Sequence, residues 1–229
     1  MMQKIKLKIR CVGALFLAGM LAGVLSVVPE VDSAEYLNEA ATNAHQVRIG
    51  ASFQFIMALA YMGIGIFLYP ILKSFDRSLA IGFLSFRIIA ATLVIVGTIA
   101  LLSILALSQE YARYLPQSPV YLEALGNVLK ATRDYINHVF MILVLCAGNI
   151  ILYILFIRTR LIPNWLAVWG VIGNLLSVVA SVLILFQIMD IISTPYILLN
   201  VPTALQELIL AIWLLTKGFD GKVLLAKEA

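Results

Sequence analysis

Apolar residues gather into six long stretches along this chain, and charged residues are confined almost entirely to the gaps between them. The stretches are Cys11–Val28, Val47–Tyr69, Leu79–Leu107, Tyr135–Ile157, residues 163–188 and Pro202–Thr216. About 20 helical residues cross a hydrocarbon core of roughly 30 Å, so runs of this kind predict transmembrane helices. Short gaps place successive spans side by side, as one bundle over residues 1–229. All seven prolines (Pro29, Pro70, Pro116, Pro119, Pro163, Pro195 and Pro202) fall at or outside the predicted ends. Proline is tolerated in loops and in a helix's first turn and breaks its interior, so this placement supports the same segmentation. It also argues against helices interrupted at mid-membrane. Gly19 and Gly23, Gly63 and Gly65, and Gly170 and Gly173 are spaced to allow close helix packing.

Two segments between spans carry helical patterns of their own. In "DSAEYLNEAATNAHQ" (32–46), Glu35 follows Asp32 by three residues, as at a helix start. The amphipathic segment 118–134 runs into the fourth span, with Val120, Leu125, Leu129, Thr132 and Ile136 at helical spacing. It either extends that span outward or lies along the membrane surface. The first stretch follows a basic start, "MMQKIKLKIR", and Val24-x-Ser26 is a passable cleavage site. The run extends past the apolar core of a secretory signal peptide, about 7–15 residues, so it reads as a retained span.

Composition places the chain in the membrane class: 62% hydrophobic and 12% charged residues, with a mean hydropathy of +1.02. Soluble domains are roughly 45–50% apolar and about 25% charged. A net charge of +4 does not point to nucleic acid here, because the basic residues border apolar runs. Eleven of them collect on one side of the predicted topology: Lys4, Lys6, Lys8, Arg10, Lys73, Arg77, Arg158, Arg160, Lys217, Lys222 and Lys227. The other side holds Arg48, Arg113, Lys130 and Arg133, with most of the acids. Positive charge marks the cytoplasmic side. The expectation is an all-α integral membrane protein, a bundle of six transmembrane helices with both termini cytoplasmic. Trp165, Trp169 and Trp213 then lie toward the cytoplasmic interface, where indole rings are favoured.

Arg87 and Glu207 are the two formal charges well inside spans. At 1.5 Å rise per residue each lies about 12–14 Å from the cytoplasmic end of its helix. An unpaired charge in hydrocarbon costs about 3 kcal/mol or more, so the two are expected to pair across the third and sixth spans. Asn149 and Asn174 fall at the same depth, Gln206 adjoins Glu207, and Gln54 shares a stripe with Tyr61 and Gly65. A polar layer of Arg87, Glu207, Asn149, Asn174, Gln206 and Gln54 is therefore expected inside the bundle. Two readings of it stand side by side. It fixes helix register through interhelical hydrogen bonds, or it is a substrate or proton site.

The two histidines, His45 and His138, lie toward the outer face, with Asp134 one turn before His138. A tri-histidine zinc site cannot be made by one chain with two histidines. No CxxC, HExxH, P-loop, GxGxxG or nucleophile-elbow motif occurs, and Cys11 and Cys146 read as small apolar residues. No metal or cofactor is expected from these patterns.

The stretches "YPILKSFDRSLAIGFLSFRII", "RTRLIPNWLAVWGVIG" and "ALQELILAIWLLTKGF" resemble the bacterial membrane family catalogued as domain of unknown function 4386. Members often carry an acid shortly after the Arg-Ile-Ile of the third span, where this chain has Ala90 and Ala91. The resemblance implies a bacterial multi-pass plasma-membrane protein and brings no catalytic or binding residues. The functional expectation is non-enzymatic handling of a small solute, lipid or ion through the buried polar layer. The alternatives are a membrane-embedded enzyme or cofactor protein using His138, Asp134 and His45, and a partner or sensor subunit of a membrane complex. The bilayer is the expected surrounding, with a homo- or hetero-oligomer left open.

Overall fold

A computed structural model describes residues 2–113, 120–191 and 193–226. Pro116, Pro119, Lys227 and the start of the 118–134 segment lie outside them. The described chain is helical, without a strand, and six of its helices are long and apolar enough to cross a membrane. In chain order the elements are α1 (Met2–Leu25), α2 (Pro29–Asp32), α3 (Tyr36–Thr42), α4 (Ala44–Leu72), α5 (Arg77–Arg113), α6 (Val120–Asp134), a π-helical turn (Tyr135–Phe140), α7 (Met141–Thr159), α8 (Asn164–Leu185), α9 (Thr194–Thr216) and α10 (Gly221–Ala226). This is an all-α, multi-pass membrane protein.

The spanning helices close into a ring in chain order. α1 packs on α4, α4 on α5, α5 on α7, α7 on α8, α8 on α9, and α9 returns to α1. Small residues set the closest approaches. A Cβ at Gly13 would stand 2.8 Å from the Ala211 carbonyl, and one at Gly173 would stand 3.1 Å from the Thr203 backbone nitrogen. Gly19 and Gly23 meet Ala60 and Met57 of α4, and Gly65 meets the base of the Arg87 side chain. Without a water-driven force between helices in lipid, such backbone-close packing is what holds them together.

An apolar cluster at the basic end joins Ile9, Leu72, Leu161, Leu214 and Phe219. The start of α1, the 73–76 turn, the 160–163 turn and the tail after α9 are thus gathered together. Arg160 ends α7 in the left-handed region at φ 56°, and Pro163 precedes α8. The backbone N–H of Asp220 donates to the Leu161 carbonyl at 3.0 Å. At the opposite end, α2, α3 and α6 form a cap with Val31, Tyr36, Leu37, Ile104, Tyr111 and Leu122 at its core.

Several boundaries differ from the sequence expectation. α5 runs for 37 residues, about 55 Å, which exceeds the roughly 30 Å hydrocarbon core and leaves a turn-rich end for the cap to pack on. The fourth span is one 40-residue helical stretch, Val120–Thr159, bent at the π turn. The outer segment therefore extends the span. Its buried face is Leu122, Gly126 and Arg133, while Val120 and Leu125 of the expected stripe are exposed. On that inward face Arg133 pairs with Asp32, as described below, while Leu122 joins the cap cluster. The sixth helix begins at Thr194, where the Ser193 side chain accepts from the Tyr196 N–H, so Pro202 lies in the helix interior and not at its start. Pro70 likewise sits in the last turn of α4. Neighbouring helices make an interior proline tolerable in lipid, and Thr203 beside it bonds to Ser177 of α8 at 2.9 Å.

Candidate ligand-binding site

Every spanning helix sends a residue to the polar layer. Arg87 of α5 is 1% exposed. Its Nη2 donates to Asn149 Oδ1 of α7 at 2.7 Å. The Asn149 amide nitrogen donates to Asn174 Oδ1 of α8 at 3.1 Å and to Glu207 Oε1 of α9 at 3.0 Å. Asn174 in turn donates to the Gly170 carbonyl at 2.7 Å. Gln206, fully buried, accepts from the Tyr153 hydroxyl at 2.6 Å and donates to the Leu166 carbonyl at 3.2 Å. α1 and α4 contribute rings: the Arg87 guanidinium lies 5.3 Å from the centroid of Phe16, 5.5 Å from that of Tyr61 and 5.4 Å from that of Phe83. Aromatic faces offset part of the cost of a desolvated cation.

The expected direct pairing of Arg87 with Glu207 is not what the bundle contains. Among the described residues the two charges form no ion pair, and Asn149 bridges them. Matching depth placed both charges at one level but could not show that a third helix stands between them. Both line a small cavity of about 110 Å³ that is bounded by Phe16, Gly19, Met20, Gly23, Met57 and Tyr61. Arg87 Nε is buried there without an acceptor among the described residues.

A second cavity, about 760 Å³, opens at the opposite end from the basic tails. Its apolar wall includes Val27, Met57, Met141, Ile142 and Ile197, and its polar wall Gln54, Asn137, His138, Arg133 and Asp134. Gly23 and Met57 line both cavities, so the two are stacked on the same α1–α4 wall. The Met57 sulfur lies 3.4 Å from the position of a Cβ on Gly23, so the two residues pack together where the cavities adjoin.

The π turn shapes the outer cavity. One extra residue per turn redirects side chains, and such turns recur at functional sites. His138 Nδ1 bonds to the Tyr196 hydroxyl of α9 at 3.0 Å, with the rings edge to face. The His138 carbonyl accepts from Ser181 of α8 at 3.0 Å. Asp134 lies 3.5 Å from Arg133 Nη1, whose stronger partner is Asp32 at 2.7 Å. His45 is exposed at the start of α4 and lines neither cavity, so the histidines are not brought together. Gln54 accepts from Thr98 at 3.0 Å and belongs to the outer cavity, above the Arg87 layer. Among the described residues no three of His, Cys, Asp and Glu gather as a metal site would require.

Met57, Tyr196, Asn137 and Phe16 escaped the sequence reading. Met and Phe in an apolar run look like lipid-facing or core residues, and Tyr196 sits at a helix start that the sequence placed in a loop. The π turn has no period of its own that would announce it.

Residues 11–218 match the family described as Domain of unknown function (DUF4386). The chain belongs to that family. No curated protein and no solved structure matches it. In this DUF4386 protein the three stretches that carry the resemblance meet around the layer and the basic end. Phe83, Leu161, Leu166, Leu214 and Phe219 share one apolar cluster, and Arg87, Gln206 and Glu207 belong to the polar layer.

Proposed function

We propose that this protein is a non-enzymatic, multi-pass component of the bacterial plasma membrane, with both termini cytoplasmic, that takes a small polar solute from the outer side to the buried layer. The reading is carried by one observation: the stacked cavities share Gly23 and Met57 and end on Arg87 and Glu207. A charge pair kept only for helix register has no need of a cavity beside it. Intramembrane ionisable residues that face a cavity mark solute or ion routes.

The test is cysteine accessibility in a background with Cys11 and Cys146 replaced by alanine. Met57→Cys in intact membranes is expected to react with a membrane-impermeant thiol reagent from the outer side, with Asp190→Cys in the outer cavity as the positive control. Reaction at Asp190→Cys without reaction at Met57→Cys overturns the aqueous route.

A further inference from the structure

The chemistry of the inner cavity narrows what the solute is. Two opposite charges line it, yet they do not touch. Arg87 spends its one hydrogen bond among the described residues on Asn149, and its Nε is left without an acceptor. Glu207, half-buried, accepts from the same asparagine. An arginine carries five N–H donors in a planar fork suited to a carboxylate. A glutamate carboxylate has about four lone-pair sites, most of them open to donors here.

Held apart by Asn149, the guanidinium and the carboxylate cannot neutralise each other by contact. Desolvating both charges is costly unless each finds a close partner. A molecule with an anionic end for Arg87 and a cationic end for Glu207 would supply both partners at once. The cavity, about 110 Å³, is small beside the outer one of about 760 Å³, which favours a small ligand. Phe16 and Tyr61, whose rings face the Arg87 guanidinium, form the aromatic side of the space.

We propose that the inner cavity is a binding site for a small zwitterion, a molecule of glycine's size and charge pattern carrying one carboxylate and one ammonium. The carboxylate is held by Arg87 and the ammonium by Glu207, with Asn149 fixing the separation between them. This inference rests on the solute-handling reading above and adds the class of solute.

Thermal stability of the purified full chain in detergent, titrated with three probes, tests it. Glycine is expected to raise the melting temperature saturably, while acetate and methylammonium at equal concentration leave it unchanged. Trimethylglycine, of the same charge pattern but with no N–H to donate to Glu207, controls for osmolyte effects and is expected to give no saturable rise. Glu207→Gln is expected to weaken glycine binding by about tenfold or more and to bring acetate and glycine to similar affinity. Equal stabilisation of wild type by acetate shows a simple anion site and overturns the proposal, as does equal stabilisation by methylammonium. A saturable effect of trimethylglycine, or no effect of glycine, overturns it too. Wild-type discrimination among the probes decides the matter even if Glu207→Gln fails to fold. Labelling at Met57→Cys with no glycine effect removes only the zwitterion; no labelling at Met57→Cys removes the route itself.

Discussion

Asn149 stands between Arg87 and Glu207, accepting from the first at 2.7 Å and donating to the second at 3.0 Å. One neutral amide thus joins two charges from helices that are not neighbours in the ring. It uses its oxygen on the cation and its nitrogen on the anion. α5 and α9 are separated in the ring by α7 and α8 on one side and by α1 and α4 on the other, so the two charges meet only across the bundle interior.

The bridge makes Asn149 the residue whose loss is felt most. Asn149→Leu keeps the approximate volume and removes the acceptor for Arg87 and the donor for Glu207 together. Leaving a buried charged group without its partner costs about 3 kcal/mol or more. Glu207→Gln keeps an oxygen that accepts from Asn149 and is expected to stay within about 1 kcal/mol of wild type. Unfolding in detergent of Asn149→Leu, Arg87→Ala, Glu207→Gln and the Arg87/Asn149 double variant measures this. The double should lose much less than the sum of its singles, because the same bond is removed twice. Additive losses would show that the bridge is not a coupled unit.

The π turn is wedged against α5 through a missing side chain. A Cβ on Gly97 would overlap the amide of Asn137, whereas one on Gly82 of the same helix would meet only the Ile151 Cδ1 at 3.5 Å. Gly97→Ala is therefore expected to cost about 1–3 kcal/mol through overpacking. Gly82→Ala should be neutral or slightly stabilising, since alanine favours the helix by about 1 kcal/mol. Asn137→Ala in the Gly97→Ala background should recover most of the loss by vacating the contested space. Thermal unfolding of the three variants and wild type gives the comparison, and a Gly97→Ala protein as stable as wild type contradicts the wedge.

What could be read in the sequence divides along a physical line. Spans, and the burial of Arg87, Asn149, Asn174 and Gln206, follow from the cost of polar groups in lipid, which acts on each residue separately. Partners depend on the angular position of several helices at once, so the direct Arg87–Glu207 pair was a reasonable expectation that a third helix overturned. Pro202 misled for a related reason: in lipid a helix continues through proline when its neighbours support the freed carbonyl. The inward face of α6 was not legible, because Val120 and Leu125 of its apolar stripe are exposed while a charge, Arg133, is buried.

That inward charge holds the cap. Arg133 is 6% exposed and bonds Asp32 Oδ1 at 2.7 Å, while Lys130 Nζ donates to the Asp32 and Ser33 carbonyls at 3.1 and 3.4 Å. Both cations thus tie α2 to α6 across the mouth of the outer cavity. Asp32→Asn leaves Arg133 buried with a weaker acceptor and is expected to cost about 1–3 kcal/mol. The loss should be local, seen as faster amide hydrogen exchange over residues 29–43 with the spans unaffected. Uniformly faster exchange along the chain would instead tie the cap to global stability.

Tyr36 adds a pH dependence to the same cap. Its hydroxyl donates to Asn127 Oδ1 at 3.0 Å. Burial first, and the Glu123 carboxylate second, push its phenol above the ordinary value of 10.0. The folded cap therefore favours the neutral phenol. The stabilisation is present in full below the unfolded value near 10 and is lost as pH rises through the higher folded value. Wild-type melting temperature is expected to hold up to about pH 10 and then to fall. Tyr36→Phe should start lower by the loss of one hydrogen bond, about 1 kcal/mol, and should fall less over that alkaline range. Parallel wild-type and Tyr36→Phe curves would mean that another group controls the alkaline limb.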